Sequence, residues 1–162
     1  MSYRSNTITH EEILAAGQAP APRLELLRIA AAIVDGIPAR RFSLNVVRER
    51  KAGRPGTYKP RSMDASCGSV CCGIGWLTLH PSFQALGLGW DAEESVVTWN
   101  DRWQSFPEAG SKLFGITWDE AHRLFRELTY QEQEGPESAD MHKRIFRKRV
   151  VEFLQRHEQV AT

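Results

Sequence analysis

Residues 66–81 read Ser66-Cys67-Gly68-Ser69-Val70-Cys71-Cys72-Gly73-Ile74-Gly75-Trp76-Leu77-Thr78-Leu79-His80-Pro81. All three cysteines of the chain fall in this stretch, with three glycines among them and an apolar tail running to a proline. The pattern predicts a short buried helix over 67–79. Asp64 or Ser66 offers a side-chain oxygen to cap its free backbone N–H groups. Pro81 stops it, because proline disfavours helical geometry in the residue before it. Positions four apart share a helix face, so Cys67 and Cys71 are expected to stack, with Cys72 beside them. Each glycine costs a helix about 1 kcal/mol relative to alanine. A helix that keeps Gly68, Gly73 and Gly75 is therefore expected to need close approach by other backbone, as a thin central element around which the chain wraps.

The flanking sequence divides into recognisable elements. Thr9-His10-Glu11-Glu12 fits a capping box and opens a short helix stopped by Gly17. Residues 24–34 form a stronger helix with Leu24, Leu27, Ala31 and Val34 as its stripe, closed by Asp35-Gly36. Phe42, Leu44 and Val46 alternate with polar residues, which predicts a strand over 42–47. Residues 81–88 read as a turn or one helical turn, and Asp91-Ala92-Glu93-Glu94 as an acidic loop. Residues 95–100 are a second strand candidate, expected to pair with 42–47. Ser105 to Phe114 reads as a helix with Pro107 in its first turn and Gly115 at its end. Thr117-Trp118-Asp119-Glu120 is another capping box, opening a helix to about Leu128. After an acidic connector, a last helix runs over 140–157. Met141, Ile145, Phe146, Val150, Phe153 and Leu154 form its inner face, and Lys143, Arg144, Arg147, Lys148 and Arg149 its outer one. The expected fold class is α+β: one mostly helical domain over 1–162, built around the buried helix, with a small two-stranded antiparallel sheet. Residues 1–8 are expected to be mobile.

The motif Cys67-Gly68-Ser69-x-x-Cys72-x-x-Gly75-Trp76, followed by Pro81-x-Phe83-Gln84-x-x-Gly87-Leu88, resembles a group of small bacterial and phage proteins with no established activity. Those carry a Cys-Gly-Thr-x-x-Cys-x-x-Gly core before a helix start of the Phe-Phe-Gly-Leu-Thr type. Its counterpart here is Leu113-Phe114-Gly115-Ile116-Thr117. The resemblance spans roughly residues 24–128 and implies a shared fold but no chemistry. Matched to it, Cys67 and Cys72 are the paired cysteines and Cys71 is additional. The basic insertion at 48–61 is longer than the group's pattern. The phage-type likeness implies a chain that modulates a host protein, such as a defence or processing complex.

A chain of 162 residues suits one domain. A net charge of +1 gives no overall pull toward nucleic acid or membrane, so any such attraction must be local. No apolar run approaches the ~20 residues that span a bilayer. The N-terminal residues lack a signal-peptide apolar stretch, so a cytoplasmic setting with reduced cysteines is expected.

Three stretches carry residues suited to a site. At the cysteine cluster, Cys67, Cys72 and His80 are the residues that would hold zinc, and Cys67, Cys71 and Cys72 would supply a reactive thiol or redox pair. The spacing is not that of a structural zinc site, which takes four ligands, often as two short-spaced pairs. A nucleophilic thiol also needs an oriented base, and His122 and His142 fall on helix faces read as charged. The cysteines are therefore read as small buried apolar residues. No cofactor is expected, and the chain is read as non-enzymatic. The better clue is the stretch 48–61, where six basic residues face one acid. Arg48, Arg50, Lys51, Arg54, Lys59 and Arg61 make a flexible arm, a long loop or the tip of an extended hairpin, and Tyr58 adds a ring able to stack. Either an acidic protein surface or backbone phosphates would attract it. The third is the aromatic stretch 88–106, whose Trp90, Trp99 and Trp103 are the expected surface anchors. The leading expectation is a protein-binding module acting on a host or cellular protein with an acidic surface. The alternative is a nucleic-acid-binding protein using the arm and the basic last helix.

Overall fold

The computed structural model describes residues 8–44, 48–50, 69–94 and 96–160, with backbone alone at 48–50, 69–71 and 139. Helices α1 (His10–Gly17) and α2 (Leu24–Asp35) come first, then a single 3-10 turn at Ala39–Arg41. The β1 strand (Arg48–Arg50) pairs antiparallel with β2 (Ser69–Cys71). Two short helices follow, α3 (Gly73–Thr78) and α4 (Pro81–Ala85). A meander of β3 (Leu88–Asp91), β4 (Val96–Trp99) and β5 (Arg102–Gln104) leads into α5 (Phe106–Phe114), α6 (Trp118–Phe125) and the long α7 (Ala139–Val160). The α+β, mostly helical class holds. The sheet differs from expectation: the meander has three strands, and 96–99 pairs with 88–91 and 102–104. The predicted partner strand over 42–47 does not form over its described part. Its apolar residues Phe42 and Leu44 instead follow the 3-10 turn and are buried at 2% and 3% exposure.

The deciding stretch is half strand and half helix. The N–H and C=O groups of Ser69, Val70 and Cys71 are taken up by a ladder with Arg50, Glu49 and Arg48, so the helix starts only at Gly73 with Cys72 extended at its N-cap. A β-branched valine among glycines has little helix propensity to set against that pairing. Cys71 and Cys72 consequently do not share a helix, while every residue of α3 is buried. Close approach is real at Gly73. A Cβ there would sit 3.2 Å from the Phe146 ring and 3.3 Å from Phe125. Those rings belong to a run that ties the elements together. Phe42 meets Phe146 at 5.6 Å between centroids, Phe146 meets Phe125 at 5.8 Å, and Phe125 meets Phe114 at 5.7 Å. Trp76 fastens α3 to the 3-10 turn, its indole N–H donating to the Arg41 carbonyl at 2.9 Å under the Arg41 guanidinium.

Helix starts follow the sequence closely. Thr9 with Glu12 and Thr117 with Glu120 form complete capping boxes, and Ser105 caps α5. The ends of α1, α2 and α5 also fall where Gly17, Gly36 and Gly115 put them, and those of α2, α5 and α6 carry a further device the sequence does not display: cations from distant segments. The last carbonyls of a helix lack intrahelical partners and lie at the negative end of its dipole. Lys143 Nζ donates to the carbonyls of Asp35 and Ile37, just beyond α2, at 2.9 and 2.6 Å. Arg23 Nη1 donates to those of Lys112 and Leu113 in α5, alongside the left-handed Gly115 (φ 65°). Arg149 closes α6. Its Nη1 donates to Leu124 O and Arg126 O, and its Nη2 to Glu127 O. Nε and Nη2 also donate to the Glu132 carboxylate at 2.7 and 2.6 Å. All five guanidinium N–H groups are used, and the residue is 8% exposed.

Glu132 responds to this cap. Burial raises its pKa, but the Arg149 hydrogen bonds and charge, with donors from Thr129, outweigh that and bring it from the ordinary 4.5 to about 2. A carboxyl held low in the fold stabilises fully above its unfolded pKa and loses that contribution as pH falls through the folded one. The ion pair should therefore weaken between pH 4.5 and about 2. With the side chain a quarter exposed, the contribution is roughly 1–2 kcal/mol after solvent screening. Acid unfolding of wild type and Glu132→Gln followed by circular dichroism should show the wild-type advantage disappearing across that window. An advantage unchanged at pH 2.5 would contradict it.

Candidate functional site

The register of the meander sorts its tryptophans. Trp90 pairs with Val97, and Trp99 with Leu88 and Arg102, so these side chains share one face. Leu88 and Val97 on that face are core residues, and Trp90 and Trp99 are half-buried against them. Trp103 pairs with Thr98, which pairs with Gly89, and so stands on the opposite face. It is 61% exposed. Of the three expected anchors, one is therefore a surface residue and two are mainly packing. Nor is the 88–104 stretch irregular: it is the sheet itself.

Trp103 is exposed yet held. Its indole N–H donates to Asp91 Oδ2 at 3.0 Å, and Asp91 Oδ1 accepts from the N–H groups of Glu93 and Glu94 at 2.9 and 3.1 Å. Those bonds, the Glu94 N–H first and the indole next, hold the Asp91 carboxyl below its usual range. The acidic turn read as a loop is thus the bracket that fixes the ring. Beyond Gln104 and Ser105 comes Phe106, at the start of α5. Phe106 stacks on His122 at 5.9 Å, and His122 stacks on Trp118 at 5.0 Å with the planes 7° apart. Trp118 is 47% exposed. Trp118 was not among the expected anchors. Its place as the first residue after the Thr117 cap, with His122 four positions on, was the available signal of a helix-surface pair.

Of the basic arm, only residues 48–50 are described. Arg48 and Arg50 lie in β1, laddered to Cys71 and Ser69, so the segment between them emerges directly from the deciding stretch. Lys51, Arg54, Tyr58, Lys59, Arg61 and Cys67 lie outside the described residues.

The last helix offers only part of the basic face expected of it: Arg144, Arg147 and Lys148 are exposed, and Arg149 is not. Arg149 is buried in the α6 cap, Lys143 caps α2, and Arg147 donates through Nε and Nη2 to Asp35 Oδ1 at 3.1 and 2.6 Å. Of the five cations read as outward, Arg149 alone is buried, while Lys143 and Arg147 are paired within the chain at its surface. His142, read as lying on a charged face, is buried at 4% exposure. Its Nδ1 accepts the Leu44 N–H at 3.0 Å, so the ring's proton is on Nε2, which donates to Glu137 Oε1 at 2.6 Å.

Cys72 is 1% exposed, and its thiol is pushed up to about 11 because burial outweighs the backbone N–H groups of Gly75 and Ile74. A thiol that stays protonated at neutral pH is neither a ready nucleophile nor a ready metal ligand. His80 Nδ1 caps α4 by accepting the Ser82 N–H at 3.3 Å, and burial first, then His10, lowers its pKa. Among the described residues no three His, Cys, Asp or Glu side chains are grouped to hold a metal, and no helix is long and apolar enough to cross a membrane.

Comparison with known proteins gives no matching family model, no matching curated protein and no matching solved structure.

Proposed function

We propose that this chain works by binding a protein with an acidic surface, through the exposed aromatic edge of Trp103, Phe106 and Trp118 and the basic arm at 48–61. The observation that carries the reading is Trp103: a large ring, 61% exposed, whose orientation is already fixed by Asp91. A ring fixed before association loses little freedom on binding, and tryptophan is the residue most enriched among binding hot spots. The arm's six cations against one acid supply complementary charge and speed the encounter. Nucleic acid is the weaker reading, because Lys143, Arg147 and Arg149 of α7 are committed to carbonyls and carboxylates of the chain itself. In this reading a defence or processing complex of a host cell is one class of target.

The test is affinity capture from extracts of the source cells, comparing wild type with Trp103→Ala and with a variant carrying Glu at Arg48, Arg50, Lys51 and Arg54. The expected result is one set of captured proteins lost in both variants, with Trp103→Ala weakening binding by about 30-fold or more, as a hot-spot truncation does. Equal capture by all three overturns the proposal. So does capture of DNA or RNA that collapses between low and moderate salt and ignores Trp103→Ala.

A further inference from the structure

A cavity of about 470 Å³ opens between α6 and α7, and among the described residues neither those of the arm nor Trp103, Phe106 or Trp118 line it. Arg123, Arg126 and Arg156 line it, over an apolar floor that includes Leu124 and Phe153. Four carboxylates or cations around it are already spent. Glu132 is held by Arg149, whose five donors are all used. Glu120 accepts the Thr117 N–H and lies 2.7 Å from His157 Nε2. What remains is three guanidiniums and one carboxylate, Glu152. The ion pairs among the described residues include none of these four. In addition, Arg126 Nε is buried with no hydrogen-bond partner among the described residues. A donor this buried is closed off from the cavity itself, so it shows only that the chain leaves Arg126 unanchored there, and any contact with a ligand falls to its outer N–H groups.

The guanidinium fork matches the oxygen spacing of phosphate, and several forks around one cavity suit a dianion better than a single carboxylate. Glu152 adds an acceptor on the same wall, which suits a hydroxyl and would repel bare phosphate. The volume is in the range of small-molecule sites. We infer that this cavity is a binding site for a small phosphate ester bearing hydroxyl groups, of the sugar-phosphate class, with Arg123, Arg126 and Arg156 taking the phosphate and Glu152 a hydroxyl.

Isothermal titration at low ionic strength with ribose 5-phosphate, inorganic phosphate and ribose separates the contributions. The expected result is saturable binding of ribose 5-phosphate, at least 10-fold weaker binding of inorganic phosphate, and none of ribose. Arg123→Gln with Arg156→Gln should weaken ribose 5-phosphate at least 10-fold without changing the circular dichroism spectrum, since both side chains are exposed. If the double variant unfolds, Arg156→Gln alone decides. Glu152→Gln should weaken ribose 5-phosphate and leave inorganic phosphate equal or tighter. No saturable binding at millimolar ribose 5-phosphate, or binding unchanged in the arginine variants, overturns the site. Equal affinity for phosphate and its ester overturns the ester assignment.

Discussion

Arg149→Met should cost about 3–5 kcal/mol of folding stability, more than any other single change of a charged residue among the described residues. Three carbonyls at the end of α6 would lose their donors at once, and Glu132 would lose the guanidinium that holds it ionised. The helix has no other terminator of its own. Its C-cap residue, Arg126, is extended (φ −64°, ψ 165°) and no glycine follows in the left-handed position that usually closes a helix. Arg149→Lys should recover little, because one ammonium cannot reach Leu124, Arg126, Glu127 and both carboxylate oxygens together. Urea unfolding measures this. A midpoint fall equivalent to several kcal/mol is expected in both variants, with Tm lower by on the order of 10 °C. A loss below about 1 kcal/mol in Arg149→Lys would mean that the charge alone matters and the fork does not. Removing Glu132 as well should not deepen the loss much, since that carboxylate is partly exposed and can be hydrated.

This cap also shows where sequence reasoning ends. The starts of α1, α5 and α6 were legible because a capping residue and its target lie three positions apart in the chain. The ends of α1, α2 and α5 were legible too, at Gly17, Asp35-Gly36 and Gly115, but the cations that also cap α2, α5 and α6 were not, because Lys143, Arg23 and Arg149 lie up to 108 positions away. A row of Lys and Arg on an amphipathic helix looks the same whether it faces water or another helix's carbonyls. Arg149 sits one position before the buried Val150, at the edge of the apolar stripe, and local pattern cannot say which way such an edge turns. The meander failed for a related reason. Residues 88–91 carry a glycine and end in an acidic turn, which reads as loop until β4 is there to pair with them. The strand pairing expected between 42–47 and 95–100 was a choice of partner, and period-two alternation gives a face but never a partner. Of the expected anchors, Trp103 is exposed, whereas Trp90 and Trp99 were not separable from it without the register that puts them on the core face. The buried middle was legible in substance and wrong in form. Its glycines and small side chains indicated tight packing, but whether residues 69–71 joined the helix or a strand depended on Arg48, Glu49 and Arg50 arriving beside them.

The tight packing makes its own prediction. Phe146→Ala should destabilise by about 3–5 kcal/mol, the range for emptying a buried phenylalanine site that cannot collapse. Phe146 is 2% exposed and touches the Phe42 and Phe125 rings, so its removal opens the junction of the 3-10 turn, α6 and α7 together. The decisive measurement is a cycle with Gly73→Ala. In the wild type the new methyl would stand 3.2 Å from the Phe146 ring, closer than such contacts normally sit, so any helix propensity gained at the start of α3 is offset by strain. With Phe146 reduced to alanine that wall is gone, and only Phe125, at 3.3 Å, still crowds the methyl. Gly73→Ala should therefore be neutral or harmful alone and stabilising in the Phe146→Ala background, with a coupling of at least about 0.5 kcal/mol. Additive effects across the cycle would show that α3 does not need its glycine for contact with α7. Coupling of the expected sign would show that the glycine at 73 is kept for the ring it faces, and that the start of α3 serves the core.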